Sequence, residues 1–252
     1  IDEWDCIFRE FKEDKTAQET YLDFLRSLLK DKNYIEMCYM TGILPIKKYG
    51  THSALNMFDE ISMTQSKPLA NYMGFTEEEV SNLCRKHNVD YQKMKDWYDG
   101  YHMTDTISTF SPRSVVAAIS KHDFSNYWTK TESFEALKIY IDLNFDGLKD
   151  NIIQMMAGKE IYIDTSSFEN DMSTFRSKDD VLTLLIHLGY LGCNQKDQTC
   201  YIPNKEVSDS FFTSIKNSNW DATTKAIQNS RNLLDATFNM NETKVADYIE
   251  QA

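Results

Sequence analysis

The chain has 252 residues, of which 41% are apolar and 26% are charged, as in ordinary globular proteins. Its 39 acidic and 27 basic residues give a formal net charge of -12. This balance argues against a protein that mainly coats nucleic acid or anionic membrane, because phosphate binding needs clustered Lys and Arg. The sequence has no run of about 18 apolar residues, so we predict no membrane contact through a spanning segment.

The cysteines and histidines do not predict a metal site. The five cysteines are scattered and never spaced as CxxC, and the histidines have neither HxxxH nor HExxH spacing. We therefore expect reduced thiols and a cytoplasmic protein. Cys193 and Cys200 flank a predicted hairpin and are able to face each other, but a disulfide between them is the less expected outcome.

The first predicted unit is a helix followed by a strand. Apolar residues recur with helical spacing over 16–31, and residues 34–42 form an apolar run of strand length that ends in Thr-Gly. Ile1 has the position of a preceding strand end. The sequence therefore predicts two buried strands, ending at Ile1 and Met40, that pair in parallel as part of an α/β sheet.

Helices are predicted throughout the middle of the chain. Thr76 and Glu79 have the spacing of a capping box, which opens a helix. A second helix over 90–97 is followed by a turn at Gly100. The pair Ser111-Pro112 is typical of an N-cap and first helical position, and it begins a third helix.

The second half has the order helix, hairpin, helix. Helical spacing dominates residues 133–158, and a short strand is predicted over 161–164. A helix over 181–188 then precedes two short strands on either side of a polar turn, and Asn204 caps the next helix. This order is typical of a winged-helix-like subdomain.

These elements predict a mostly α fold with a small α/β part. We divide it into an α/β region (1–65), a helical region (66–125) and a helix-rich, winged-helix-like region (126–252). The chain starts at an apolar residue followed by acids and stops in mid-pattern, so we interpret it as a fragment. We therefore expect a bare sheet edge beside Met40, exposed apolar residues, and either self-association or a partner chain carrying the missing strands.

Two acids directly after the first strand are the strongest candidates for chemistry. In P-loop ATPases, an Asp in the place of Asp2 holds Mg²⁺ and a Glu in the place of Glu3 orients and deprotonates the attacking water. Thr41 ends the next strand, where such ATPases place a polar residue that senses the γ-phosphate. Lys47 and Lys48 follow on a loop as candidate phosphate ligands. For all of these residues, a solvated strand end or loop is the plain alternative.

The order of several motifs resembles the AAA-ATPase-like family of predicted prokaryotic P-loop ATPases, which are related to STAND proteins. The motifs that carry the resemblance are Ile1-Asp2-Glu3-Trp4-Asp5, Thr41-Gly42-Ile43-Leu44-Pro45-Ile46-Lys47-Lys48-Tyr49-Gly50, Ser53-Ala54-Leu55-Asn56, Gly74-Phe75-Thr76-Glu77-Glu78-Glu79-Val80, Trp97-Tyr98-Asp99-Gly100-Tyr101, Ser111-Pro112-Arg113-Ser114-Val115, Asn126-Tyr127-Trp128, Leu188-Gly189-Tyr190-Leu191 and Ile202-Pro203-Asn204-Lys205-Glu206-Val207.

The resemblance implies that the chain is the later part of a truncated P-loop ATPase core, followed by a helical lid and a winged-helix-like subdomain. It implies that Asp2 and Glu3 are the Walker B acids, that Thr41 is a sensor-like residue, and that residues 97–101 pack the lid against the nucleotide core. It also implies ATP and Mg²⁺ as cofactors of the full-length protein. A P-loop segment would precede this region, and a PD-(D/E)XK nuclease-like domain would follow it.

One departure from the family pattern limits what this chain does alone. No GxxxxGK[ST] motif occurs in the sequence, so the loop that grips the β and γ phosphates is missing and tight ATP binding is not expected. Trp97 and Tyr98 are candidates for stacking on a base, although core packing is the commoner fate of aromatic side chains. The alternatives are a non-catalytic helical interaction module and, less favoured, a winged-helix contact to nucleic acid, since the helix after the hairpin is poorly basic.

Overall fold

A computed structural model describes residues 1–11, 13–43, 55, 57–127, 141, 144–168, 175–216, 229–230, 232–234 and 236–250. The helices are α1 (Cys6–Glu10), α2 (Lys15–Leu29), α3 (Glu77–His87), α4 (Tyr91–Tyr98), α5 (Pro112–Lys121), α6 (Leu148–Met156), α7 (Lys178–His187), α8 (Lys205–Lys216) and α9 (Glu242–Glu250). The strands are β1 (Phe75–Thr76), β2 (Tyr101–Thr104), β3 (Ile107–Phe110), β4 (Ile161–Tyr162), β5 (Gly192–Asn194) and β6 (Thr199–Tyr201).

The N-terminal unit is built on helix α2. The side chain of Asp14 caps this helix by accepting a hydrogen bond from the backbone N–H of Ala17 at 2.9 Å. Leu22 and Leu25 lie on its inner face, one turn apart, and pack in one apolar cluster with Trp4. The helix predicted over 16–31 is therefore confirmed as α2, and its inner face packs on residues from the segments before and after it.

The chain segments before and after α2 pair in the parallel register. The nitrogen of Ile1 donates to the carbonyl oxygen of Tyr39 at 2.7 Å, and the N–H of Thr41 donates to the carbonyl oxygen of Ile1 at 2.9 Å. These two bonds place Ile1 beside Met40, as in a parallel ladder. A third bond joins the N–H of Trp4 to the carbonyl oxygen of Thr41 at 2.9 Å. The predicted pairing is present, although it is too short to form a regular sheet.

The prediction that residues 34–42 form a buried strand is wrong. Tyr34, Met37 and Tyr39 are exposed by 70%, 84% and 67%, and only the end of the segment has ladder hydrogen bonds. The physical reason is that only Met40 packs on the cluster of Trp4 and α2, whereas Tyr34, Met37 and Tyr39 belong to no apolar cluster of the described residues. Cys38 and Met40, which alternate with the exposed residues, are half-buried.

The middle of the chain folds as α3, α4 and α5 around a small antiparallel sheet with strand order β1-β3-β2. The capping box of α3 is confirmed: the N–H of Thr76 donates to the Glu79 carboxylate at 2.8 Å, and the N–H of Glu79 donates to the Thr76 hydroxyl at 3.4 Å. The β2–β3 hairpin was not predicted from the sequence, because its strands are only four residues long and the turn between them, at Asp105 and Thr106, contains no glycine.

The second half contains a second antiparallel sheet with order β4-β6-β5. The predicted β5–β6 hairpin and the strand β4 are confirmed, and α6, α7 and α8 pack with them in the largest apolar cluster. Asn204 caps α8 as predicted, since its side-chain oxygen accepts the N–H of Val207 at 3.1 Å.

The fold is thus mostly helical with two small antiparallel sheets and a short parallel pairing at its N-terminal end. Within the described residues, no helix is both long enough and apolar enough to cross a bilayer. The boundaries proposed at 65/66 and 125/126 stay a prediction.

Candidate functional site

The parallel pairing brings Asp2 and Thr41 together, although 39 positions separate them in sequence. The hydroxyl of Thr41 donates a hydrogen bond to Oδ1 of Asp2. The same oxygen accepts the N–H of Glu3 at 3.1 Å, and Glu3 has a left-handed backbone with φ of +52°. The chain therefore turns sharply at Glu3 as it leaves the first segment. A positive φ is uncommon for any residue other than glycine.

Arg9 joins two acids at this turn. Its guanidinium contacts the carboxylate of Glu3, and its Nε lies 3.2 Å from Oδ2 of Asp5. Asp5 is completely buried, and its Oδ2 also accepts the N–H of Ile43 at 3.1 Å. Asp5 therefore ties the residues that follow both paired segments to one another.

Gly42 is required by the close packing at the same place. A Cβ atom on Gly42 would lie 2.6 Å from Oδ1 of Asp5 and 2.6 Å from the Trp4 ring. Because real Cβ contacts are not this short, a side chain at position 42 would push the two segments apart. The Thr-Gly pair, which in the sequence is an ordinary strand exit, thus has a steric role.

A cleft of about 670 Å³ opens next to these residues. Thr41, Arg9 and Phe58 line it from the N-terminal region, Met73 from the middle of the chain, and His187 from the end of α7. Burial lowers the pKa of His187 to about 4, so this imidazole is neutral at physiological pH. The cleft lining is mainly apolar and aromatic, with a few polar groups, which is typical of ligand pockets.

The predicted site residues do not all lie in one place. Asp2, Glu3 and Thr41 are brought together, whereas Lys47 and Lys48 lie outside the described residues. Sequence reasoning missed Arg9, the role of Asp5 and the approach of His187. The spacing of Asp5 and Arg9 in one helical turn was the available signal, since residues four apart share a helix face.

Trp97 and Tyr98 lie in the middle region, apart from Asp2 and Thr41. The Nζ of Lys205 lies 4.6 Å from the centre of the Trp97 ring. Tyr98 is completely buried, stacks on Phe124, and donates from its hydroxyl to the carbonyl oxygen of Ser125 at 3.0 Å. These contacts are those of core and inter-element packing; a role for either ring in binding a base stays a prediction.

The Trp97–Tyr101 segment connects the middle of the chain to the C-terminal half. The hydroxyl of Tyr101 donates to the carbonyl oxygen of Gly189, and the hydroxyl of Tyr201 donates to that of Gly100, both at 3.0 Å. The side chain of Asn204 donates to the carbonyl oxygen of Asp99 at 2.9 Å. The implied packing of this segment against the nucleotide core stays a prediction, and the contacts described here join the segment to residues 189–205.

The described residues contain no group of three or more His, Cys, Asp or Glu side chains arranged around a shared point. The candidate ligands for a cation in the N-terminal unit are the side-chain oxygen atoms of Asp2 and Thr41. Oxygen atoms are the ligands that Mg²⁺ prefers. This sequence contains no phosphate-binding loop for a triphosphate, because it has no Gly-rich loop ending in Lys.

Comparison with known proteins shows that the chain is similar in sequence to a curated protein whose activity is not defined. A protein of Azotobacter chroococcum mcd 1, described as an uncharacterized protein in the vnfD 5' region, is 26% identical over 110 residues. The match covers 42% of this chain and 21% of that protein, so the chain spans about a fifth of the length of the relative it matches. No protein-family model matches the sequence, and no solved structure matches it.

Proposed function

We propose that this chain is part of an AAA-ATPase-like protein, a nucleotide-dependent switch that binds and hydrolyses ATP in its full-length form. The observation that carries the proposal is the apposition of Asp2 and Thr41 at the ends of two segments paired in the parallel register. Parallel sheets gather the residues that follow their strands at one edge, which is where α/β proteins bind ligands.

The proposed roles follow from the chemistry of each side chain. Asp2 holds Mg²⁺, Glu3 orients and deprotonates the attacking water, and Thr41 contacts the γ-phosphate. When bound, Mg²⁺ neutralises charge on the phosphates. Arg9 contacts one oxygen of the Glu3 carboxylate, Oε2, and the other oxygen is the proposed proton acceptor.

The free edge of the paired segments is the proposed position of the missing P-loop strand. In a parallel ladder, the N–H and C=O groups of Met40 point away from Ile1, and no partner for them is found among the described residues. We propose that a P-loop segment, from the same polypeptide or another chain, pairs there and that Lys47 and Lys48 assist it in binding phosphate. A nuclease-like domain of the PD-(D/E)XK type is the proposed source of any contact with nucleic acid.

The later regions are proposed to act as lid and transmitter. The order α6, β4, α7, β5, β6 and the sheet order β4-β6-β5 agree with a winged-helix-like subdomain. His187 and Tyr190, from its helix–hairpin junction, line the same cleft as Thr41. A nucleotide in this cleft would therefore contact both the segment around Thr41 and the junction between α7 and β5, which is the physical basis of a switch. Trp97 and Tyr98 remain proposed contributors to nucleotide binding.

The decisive experiment compares variants in the polypeptide that joins this sequence to its P-loop segment. We expect Asp2→Asn to abolish Mg-ATP binding measured by calorimetry. Glu3→Gln is expected to retain binding and to lower the hydrolysis rate by about 100-fold or more, since general-base catalysis contributes at that level. The matched control is Glu13→Gln, an exposed acid, which should alter neither quantity. Unchanged binding in Asp2→Asn would contradict the proposal.

The same titration on this chain alone separates the proposal from its main alternative. Micromolar Mg-ATP binding that Asp2→Asn removes would show that a complete site forms without the motif GxxxxGK[ST]. A different pair of results would favour a non-catalytic interaction module. This chain alone would give no heat on titration with Mg-ATP, and Asp2→Asn would leave ATP binding unaltered in the polypeptide that includes the P-loop segment. The exposed Tyr34, Met37 and Tyr39 are the specific observation in favour of that second function.

A winged-helix contact to nucleic acid is the weakest proposal. In helix-turn-helix proteins, the recognition helix exposes a face to the groove. The helix predicted to make this contact is α8, which is buried at Glu206, Val207, Ser208, Ser210 and Phe211, so most of its first two turns has no free face to offer. Binding to DNA with a steep salt dependence would be needed to restore the proposal.

A further inference from the structure

The facing cysteines of the β5–β6 hairpin are a separate feature from the proposed nucleotide site. Cys193 and Cys200 are register partners on the two strands, so their side chains lie on the same face. Both are free thiols and both are buried. The Sγ of Cys200 is 3.8 Å from the Sδ of Met155, which places the pair against α6.

The hydrogen bonds of the neighbouring strand fix the type of this pair. The N–H of Ile163 donates to the carbonyl oxygen of Gln198 at 2.9 Å, and Tyr162 is opposite Thr199. In an antiparallel ladder this arrangement directs the N–H and C=O of Cys200 towards β4 and therefore away from β5. Cys193 and Cys200 are then a non-hydrogen-bonded pair.

Non-hydrogen-bonded pairs bring side chains closest together. Their Cα atoms are about 4.5 Å apart in antiparallel sheets, which lies within the range of about 4.4–6.8 Å that disulfides span. The register of the two strands is therefore compatible with a disulfide between Cys193 and Cys200. The other cysteines, Cys6, Cys38 and Cys84, lie in none of the strands of the described residues, so no strand pairing brings two of them face to face.

Cys193 is the more exposed of the two cysteines, at 7% against 0% for Cys200. Cys193 lines a surface cavity of about 260 Å³ beside the β5–β6 turn. His102, Thr104 and Asp105 form one wall, and Lys196 and Asp197 form the other. Cys200 is further inside and completely buried, so it is placed to react with Cys193 after Cys193 has reacted with an oxidant.

We propose that Cys193 and Cys200 are a reversible oxidation site, at which a small-molecule disulfide converts the two thiols to a cross-strand disulfide. The Cys193 sulfur, as thiolate, attacks the oxidant, forming a mixed disulfide and releasing one thiol. The Cys200 thiolate then attacks the Cys193 sulfur and releases the second thiol. The protein loses two electrons and two protons, and the oxidant gains them as two thiols. The product cross-links the hairpin whose Tyr201 contacts Gly100.

The test is oxidation of the chain with oxidised glutathione, followed by thiol counting and peptide mass spectrometry. The reaction is run at about pH 9 for hours, because thiolates are the attacking species and burial raises the pKa of Cys193 to about 11 and of Cys200 to about 12. We expect two thiols to be lost, one peptide pair linked through Cys193 and Cys200, and full recovery with dithiothreitol. The matched control Cys84→Ser should lose the same two thiols.

Two results would overturn the proposal. One is a linkage through Cys6, Cys38 or Cys84; the other is a stable glutathione adduct at Cys193 as the end product. Cys193→Ser and Cys200→Ser are each expected to form no disulfide within the chain. If these variants fail to fold, the decisive measurement is the Tm of the oxidised chain compared with that of the reduced chain, both without substitutions. The oxidised form is expected to melt several degrees higher, because the bond restricts the unfolded chain. A lower Tm would mean that the bond forms only at the expense of the native hairpin.

Discussion

At the scale of single residues, Gly100 lies where the backbone of one segment touches the backbone of another. Its φ of +100° belongs to the region that favours glycine. A Cβ atom there would lie 2.1 Å from the carbonyl oxygen of Pro203. The backbone of residues 97–101 therefore touches the backbone that leads into α8, and only glycine permits that approach.

We expect Gly100→Ala to lower the free energy of unfolding by about 3 kcal/mol or more, because backbone strain and a backbone clash add together. The measurement is urea denaturation followed by circular dichroism. Gly158→Ala is the matched control: its φ is +86°, but a Cβ meets nothing within 4 Å, so only the strain of about 1 kcal/mol remains. Equal losses in the two variants would show that the contact with Pro203 does not matter.

At the scale of elements, a buried carboxylate joins α5 to α8. Glu206, in the first turn of α8, is completely buried. It accepts the hydroxyl of Ser114 in α5 at 2.7 Å and the N–H of Tyr127 at 2.6 Å. Burial of a charged group is costly in free energy unless it has such hydrogen-bond partners. The bonds to Ser114 and Tyr127 therefore stabilise the packing of α5 against α8 at Glu206.

Glu206→Ala should destabilise the protein by about 2–4 kcal/mol, since it leaves the Ser114 hydroxyl and the Tyr127 N–H without their acceptor. Glu206→Gln should cost less, because one oxygen acceptor remains. Chemical denaturation of both variants measures the difference. The exposed Glu78 of α3 gives the control, Glu78→Ala, with an expected effect within about 0.5 kcal/mol. If Glu206→Ala left the free energy of unfolding unchanged, the hydrogen bonds of Glu206 would not be what stabilises the packing of α5 on α8.

At the scale of the whole molecule, apolar surface is concentrated on the N-terminal unit. Tyr34, Met37 and Tyr39 are largely exposed on the segment that pairs with Ile1. The edge of that segment also presents unpaired backbone groups at Met40 among the described residues. Apolar side chains beside an open edge favour pairing with another chain.

We expect the chain to self-associate in a concentration-dependent manner, measured by size-exclusion chromatography with light scattering. Introducing Met37→Glu with Tyr39→Glu should weaken association by at least about 10-fold, because burial of one such side chain contributes about 1.5–3 kcal/mol. Met240→Glu, at a residue equally exposed but near the C-terminus, is the control and should change little. A monomer at every concentration would contradict this prediction.

Local features of this fold could be predicted because their causes lie within a few residues. The capping box of Thr76 and Glu79 and the cap at Asn204 need only neighbouring backbone groups, and the helical spacing of α2 is visible in its own residues. The proximity of Asp2 and Thr41 could also be predicted, because a strand–helix–strand unit has one favoured arrangement. These are the parts that the sequence by itself determined.

Tertiary structure alone decided which surfaces are covered and which distant residues meet. The exposure of Tyr39 depends on what packs against it, and an apolar run does not encode that. Arg9, Asp5 and Ile43 converge only after both segments have paired, and residues 97–101 find their partners about 90–100 positions away. Contacts between distant residues depend on the positions of whole elements, so the spacing of residue types along the chain could not determine them.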